Sequence, residues 1–329
     1  MSAQIKIHIY TEFKDGPWGG GNQCLKALRN EFIRRNCYTE NPEEADVILF
    51  NSHHYLKDIV RLRRKFQDKI FVHRVDGPMS YRGGEGEKTD RKIFKINRMV
   101  ADGTVFQSGW SRSESRKQGM KTNRFERVIH NAPDPDIFHP ARNGQKISSD
   151  KIKLIASSWS NNPDKGFDIY HFLDENLDFE RFEMTFVGQI DKPFINLKTL
   201  DPMPSFELAE LLRKHDIFVF ASKREACSNS LVEALSCGLP AVARNSSSNP
   251  EVLGESGGVF DGKKDVVQAI GTVAENLNDY RKNLNVPTIK VVAEEYYQFF
   301  ENIILAANKV TFSSKTLNFS DSLILRFTL

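Results

Sequence analysis

The stretch from Ile217 to Pro240 constrains the fold more than any other part of the chain. Ile217–Ala221 (IFVFA) is short, apolar throughout and rich in β-branched and aromatic residues, the make-up of a buried strand. A small polar run follows, and then Leu231, Val232 and Leu235 recur at helical spacing. Ser228, Asn229 and Ser230 are residue types that cap a helix start, while Gly238 and Pro240 are types that end one. A strand that leads through a small-polar loop into a helix sets backbone N–H groups and the positive end of a helix dipole at a sheet edge. Anions bind there.

Two carboxylates bracket this loop, Glu225 before it and Glu233 inside the helix. Ser230 with Glu233 three residues on fits a capping box, and Glu225 beside Arg224 fits a solvated loop acid. Spacing alone does not choose between these roles and a ligand-binding one. The whole pattern, however, resembles the Glu-x7-Glu signature of retaining family-4 glycosyltransferases, and the ending EALSCGLPAVA is similar to that family's. The resemblance implies that Glu225 touches the donor sugar and that the loop Arg224, Ser228, Asn229, Ser230 and Leu231 holds the diphosphate. It implies that Glu233 reaches the ribose. Ala226–Ser230 stands where the family often has Gly-Phe-Gly.

Length and charge bound the alternatives. At 329 residues with 40% hydrophobic content the chain exceeds what one core usually supports, so two domains are expected. The 46 basic and 43 acidic residues leave a formal charge of +3, too balanced to argue for nucleic-acid binding. The opening MSAQIKIHIY lacks a basic stretch followed by an apolar core, and no long apolar run occurs, so a cytoplasmic location is expected. Cys24, Cys37, Cys227 and Cys237 form no CxxC pair, which points to reduced thiols and away from zinc.

In the first half, Gln4–Tyr10 alternates as a strand, then come the glycines 16–21 and a helix-like segment from Cys24 to Arg35. The glycines are either a phosphate-approach loop or a flexible turn, and they lack the GxGxxG dinucleotide spacing. Ala45–Phe50 is a second strand. Lys57–Lys69 has Ile59, Leu62 and Phe66 at helical spacing among cations; it reads as an amphipathic surface helix, with peripheral membrane contact through 57–69 as the other reading. The next strand, Ile70–Val75, ends at Asp76-Gly-Pro, where open α/β sheets place ligand groups. Met79–Lys92 is glycine-rich and charged and reads as a mobile loop over a cleft, or as mere surface. Ala101–Gln107 is another strand, followed by a helix. The family resemblance implies that Gly20, Gly21 and Asn22 approach the donor phosphate. It puts Asp76 near the reacting sugar, with His73 as second choice; otherwise His73 is a core histidine and Asp76 caps a turn. Asn131, Asp136, Phe138 and Pro140 keep step with the family's crossover segment.

In the second half, Lys151–Ser157 starts a new α/β set, and the turn Trp159–Phe167 resembles the family's Gly-Arg…Lys-Gly loop. Lys165 then neutralises the leaving diphosphate, while Ser160 stands where the family has an arginine; Arg224, Arg74 or the early loop is expected to compensate. Phe182–Val187 is a strand ending at Gly188, a further expected donor-binding position, and Ser205–Lys214, Lys264–Leu277 and Ile289–Asn308 are helices.

The resemblance thus implies an α/β chain of GT-B architecture, two facing Rossmann-like domains with an interdomain cleft. Residues 1–142 form the acceptor-side domain, 143–284 the nucleotide-sugar domain, 285–310 a helix crossing back, and 311–329 a poorly ordered tail. It implies retaining, metal-independent transfer of a sugar from a nucleotide-diphosphate sugar to a glycan, lipid-linked or small-molecule hydroxyl, without a cofactor. A non-catalytic sugar-nucleotide or glycan-binding module is the alternative.

Overall fold

The computed structural model describes residues 4–14, 20–141, 150–309, 312–318, 320–321 and 325. It divides into two units: the first comprises residues 1–13, 25–130 and 290–329, the second residues 14–24 and 131–289. The break near residue 142 expected from sequence lies outside the described residues; the chain passes between units at His130 and Asn131.

The first unit runs β1 (Ile7–Tyr10), α1 (Gly20–Arg34, whose first turn groups with the second unit), β2 (Val47–Asn51), α2 (Leu56–Lys65) and β3 (Ile70–Val75). It continues with α3 (Gly86–Val100), β4 (Gly103–Phe106), α4 (Gly109–Lys117) and β5 (Phe125–Val128). The strands are parallel in the order β1-β2-β3-β4-β5. On its other side β1 takes a parallel bridge, Ile7 to Tyr38. The chain therefore winds outward from β1 to Tyr38 and then back past β1 to β2, which makes β1 the point where winding reverses.

Several sequence expectations change here. Met79–Lys92 is no mobile loop: it forms a 3-10 turn and the start of α3. Buried Asp90 accepts the amides of Met79 and Ser80 at 2.8 Å each, and a Cβ on Gly86 would lie 2.2 Å from Met79 O. Helix α2 turns Leu56, Ile59 and Val60 into the core formed by Ile48, Phe50, Phe71, Ile96 and Val100. Its Arg63 is wholly buried, donating to Asp102 Oδ2 at 3.1 Å and to Lys69 O at 2.6 Å. Those three residues pack within the unit, and among the described residues no helix is long and apolar enough to cross a membrane. Of the tail beyond residue 311, described residues reach the core of this unit. Leu317 and Leu325 join the same core, and Lys315 N donates to Asp102 Oδ1 at 2.7 Å. After the second unit, α11 (Ile289–Asn308) covers the other sheet face, where a Cβ on Gly103 would sit 2.6 Å from Ile303 Cδ1.

The second unit runs β6 (Ile152–Ser158), α5 (Phe167–Asn176), β7 (Phe182–Gly188), β8 (Lys198–Leu200), α6 (Ser205–Leu212), β9 (Ile217–Phe220) and α7 (Asn229–Ser236). Then come β10 (Ala241–Arg244), α8 (Asn249–Leu253), β11 (Gly257–Phe260), α9 (Val266–Glu275) and α10 (Leu277–Lys282). Its six parallel strands lie in the order β11-β10-β9-β6-β7-β8, a doubly wound sheet that reverses between β6 and β9. Both faces are covered: Ile217 and Val219 point into one cluster with Tyr170 and Phe186, Phe218 and Phe220 into another with Leu231 and Leu235. Each fully buried aromatic contributes roughly 1.5–3 kcal/mol. Helix α7 ends in a Schellman motif. Gly238, at φ 90°, donates to Leu235 O and Leu239 donates to Ala234 O.

Candidate functional site

The reversal point of the second unit gathers the loops that follow β6, β9 and β10 at the carboxyl ends of the strands, where such sheets bind ligands. The β6 loop carries Lys165 and the β9 loop carries Glu225. The two meet: Lys165 Nζ lies 2.7 Å from Glu225 Oε1. Ser222 Oγ donates to the same carboxylate oxygen at 2.6 Å.

Backbone contacts fix this pair. Lys223 N donates to Asp164 O at 2.7 Å, tying one loop to the other. Gly166 sits at φ 83°, and a Cβ there would stand 2.1 Å from Ala221 O, so only glycine lets the Lys165 turn approach the end of β9. On the far side Glu225 N donates to Ser247 Oγ at 3.0 Å, and Glu225 O accepts from Ser248 Oγ at 2.8 Å. Buried Asn249 donates to Ser222 O at 2.8 Å and to Arg244 O at 3.1 Å. The serine run after β10 is thus a bracket for the β9 loop. Sequence reasoning missed it, although three serines before Asn-Pro, all able to bond nearby backbone, were the available signal.

Helix α7 begins four residues after Glu225. Its N-cap is Ser228, whose Oγ accepts Leu231 N. The capping box expected between Ser230 and Glu233 does not form, because the cap is Ser228 and Glu233, the fifth helical residue, lies two positions too deep. The amides of Asn229 and Ser230 have no acceptor among the described residues, and both residues are half-buried at the helix mouth, while Leu231 is fully buried. Asn131 Nδ2 donates to Cys227 O at 3.0 Å and to Asn229 Oδ1 at 2.9 Å, so the crossover segment steadies the same mouth. Glu233 is 7% exposed, and burial alone pushes its carboxyl up to about 7. Arg224 is exposed and pairs with Asp164 at 3.3 Å, next to Lys165. Gly188, at φ 118°, lets the ends of β6 and β7 touch: a Cβ would lie 1.9 Å from Ser158 O. Ser160, at the family's arginine position, is occupied locally, its Oγ accepting Asn162 N at 3.2 Å.

The remaining expected residues fall elsewhere. Gly20, Gly21 and Asn22 open α1. Asn22 is spent on the chain itself, accepting Lys14 N at 3.1 Å and donating to Lys14 O at 2.9 Å, and residues 15–19 lie outside the described set. In the first unit Asp76 is half-buried at the end of β3, held by Gln107 and by Arg74 at 3.4 Å. Arg74 is itself buried and donates to Asn51 Oδ1 at 2.7 Å, which withdraws it as a substitute cation. His73 is a core histidine. It is fully buried and stacked on Phe50, with Nε2 donating to Ser52 O at 2.9 Å and Nδ1 accepting from Asn97 at 3.3 Å. Burial drives its pKa down to about 4, and no ring atom is left for a substrate. Among the described residues no group of three or more His, Cys, Asp or Glu is placed to hold a metal.

A family model described as Glycosyl transferases group 1 matches residues 180–276, which span β7 to α9 and contain both Glu225 and Glu233. The fold is similar to that of Anabaena HepE, solved in complex with UDP: TM-score 0.65, 16% identity, covering 93% of this chain and 98% of that one. It is similar as well to sucrose-phosphate synthase from Thermosynechococcus elongatus: TM-score 0.66, 13% identity, 93% and 98% covered. An uncharacterized protein 356 of Sulfolobus islandicus rod-shaped virus 1 is 23% identical over 189 residues; the match spans 52% of each chain, about half the length of that relative. Residues 180–276 are thus similar to the Glycosyl transferases group 1 family, and the two-unit α/β fold is the GT-B fold of these structural neighbours.

Proposed function

We propose that the protein is a retaining glycosyltransferase that moves a sugar from a nucleotide-diphosphate sugar to an acceptor hydroxyl without a metal. The single observation that carries this reading is the Lys165–Glu225 pair, 2.7 Å apart, with Glu225 on the loop that leads into α7. A diphosphate seated there receives the amides of Asn229 and Ser230, the positive end of the helix dipole and the Lys165 ammonium. All three stabilise negative charge as it develops on a leaving group. Lys165 is shared: in the free protein its charge is balanced by Glu225, and a bound diphosphate draws it away. The carboxylate is then released to accept hydroxyls of the transferred sugar. Glu233, a buried acid one turn along the same helix, accepts ribose hydroxyls, which matches a carboxyl that burial keeps near neutrality until a ligand donates to it.

HepE has been solved with UDP-glucose, so UDP-sugars are the first donors to test. The assay is release of nucleoside diphosphate from UDP-, GDP- and ADP-sugars, with and without acceptor. Lys165→Ala and Glu225→Ala should each lower turnover by about 10²–10³-fold, the usual effect of removing one positioned charge-stabilising group. Full activity in either variant removes the assignment. Ser160 in the arginine position favours a second reading, a binding module with no turnover. Thermal stabilisation by a sugar nucleotide without any diphosphate release would select it.

A further inference from the structure

We propose that the outward face of α2 and α3 in the first unit binds the phosphate backbone of a nucleic-acid duplex, without reading its sequence. The surface lies on the flank of the first sheet, and its occupant is separate from the donor and the acceptor of the transferase reading.

The formal charge of +3 conceals a division. The first unit holds 28 Lys and Arg against 19 Asp and Glu, a net +9, whereas the second holds 18 against 24, a net −6. Residues 56–100 alone hold 13 of those cations and 6 of those acids. Positive charge gathered in one part of a chain is the electrostatic footprint of a polyanionic partner, whatever the total.

The fold sorts this charge onto one surface. Helices α2 and α3 are successive crossovers, from β2 to β3 and from β3 to β4, and they pack side by side. Leu56, Ile59 and Val60 on α2 and Ile93, Ile96 and Val100 on α3 are buried at helical spacing, which turns the positions between them outward. The exposed residues of α2 are Lys57, Arg61, Arg64 and Lys65. Those of α3 are Lys88, Arg91 and Arg98, beside Glu87. An ordinary solvated helix face mixes both signs. Here Lys57, Arg61 and Arg64 form one stripe about 10 Å long, and Lys88, Arg91 and Arg98 another of about 15 Å.

Counter-ions do not cancel these stripes. Arg61 pairs with Asp58 at 2.8 Å, Lys88 with Glu85 at 2.7 Å, Arg91 with Glu87 at 3.9 Å and Lys65 with Glu43, all through exposed side chains. Exposed pairs of this kind are weak, and a phosphate replaces the carboxylate readily. Lys57, Arg64 and Arg98 have no counter-ion among the described residues. Asp68, also exposed, follows three residues past the end of α2 and offsets one charge at most.

The surroundings select the partner. An anionic membrane is gripped by apolar side chains sunk below the headgroups as well as by charge. No exposed residue of α2 or α3 is apolar: Leu62 and Met99 are half-buried against the core of the unit, and Phe94 against a smaller cluster. A single strand is held by aromatic rings on which its bases stack, and these helices expose none. A duplex needs neither, because its phosphates are held by arginine and lysine alone.

The test is fluorescence anisotropy of the full chain with labelled duplex DNA and duplex RNA of mixed sequence, from about 50 to 200 mM salt. At least one duplex should bind, with an affinity that falls steeply with salt and is the same for unrelated sequences. A variant carrying Lys57→Gln, Arg64→Gln and Arg98→Gln, first checked for an unchanged melting temperature, should flatten the slope of log K against log salt by about 3. At the lower salt it should bind about a hundredfold more weakly. A control in the second unit, Lys192→Gln with Lys263→Gln and Lys264→Gln, should bind like wild type. Overturning results are that neither duplex binds, that the first variant binds like wild type, or that the control weakens binding as much. Binding to phosphatidylglycerol vesicles and to no duplex overturns the proposal and gives the face to a membrane; tighter binding of a single strand than of either duplex overturns it as well. Diphosphate release from a sugar nucleotide, measured separately, tests the transferase reading alone.

Discussion

Glu233 offers a quantitative handle on the site. Its carboxyl is 7% exposed, and burial moves its pKa from 4.5 up to about 7. The folded protein therefore holds this proton more tightly than the unfolded chain does. Stability is full below pH 4.5, declines as pH rises toward 7, and above that the whole loss has been incurred. The gap between the two pKa values corresponds to about 3 kcal/mol. In Glu233→Gln the side chain has nothing to ionise, so this decline disappears, while its amide adds a constant desolvation cost of about 1–3 kcal/mol. The measurement is urea unfolding of both proteins from pH 5 to 8. The variant's free energy relative to wild type should climb by about 2.5 kcal/mol across that range, whatever its value at pH 5, because part of the loss is already incurred there. Donor binding reports on the same proton. If ribose hydroxyls donate to the carboxylate, UDP-glucose stabilises wild type more at pH 8 than at pH 5, and Glu233→Gln loses that dependence. A pH-independent difference between the two unfolding curves would refute the argument, since it would mean that Glu233 ionises as freely folded as unfolded.

Three further perturbations test how the scaffold is held. Asp102→Asn leaves Arg63 buried without its counter-charge and weakens the anchor for Lys315 N, so urea unfolding should report a loss of about 3–5 kcal/mol. Gly166→Ala drives a Cβ to within 2.1 Å of Ala221 O at a positive φ. It should lower the melting temperature, and diphosphate release should fall with it because the Lys165 turn must move away from β9. Ser228→Ala removes the cap that receives Leu231 N and should cost about 1 kcal/mol in urea unfolding.

Most of the fold was legible because its strands are short apolar runs and its helices carry clear ends. Ile217–Ala221, Ile70–Val75 and Ile289–Asn308 were each readable within a residue or two of the observed bounds. The misreadings share a cause, a partner far away in sequence. Met79–Lys92 looks loose because it is rich in glycine and charge, but its order comes from Asp90 folding back onto two amides. The tail looks featureless because Leu317 and Lys315 acquire meaning only against Asp102 and the α2–α3 core. Arg63 sits in a run of cations that reads as solvent-facing, and nothing local reveals that Asp102 awaits it inside the sheet.

The same distinction sorts the candidate site. Glu225, Ser228 and Asn229 lie within one strand–loop–helix turn, where local spacing carries the geometry, and the structure puts them together at the reversal point. Lys165 is sixty residues away and still meets Glu225, because β6 and β9 are neighbours in a doubly wound sheet and their carboxyl ends must adjoin. His73 and Asn22 fail the same criterion. Their polar atoms are taken up by the backbone of their own surroundings, Ser52 O and the two main-chain atoms of Lys14, before any ligand arrives. A polar residue at a strand exit is therefore a ligand group only if the fold leaves its hydrogen bonds unclaimed or claimed by something a ligand displaces. By that standard Lys165 and Glu225, whose bond to each other is one a diphosphate and a sugar together would replace, are the strongest candidates in this chain.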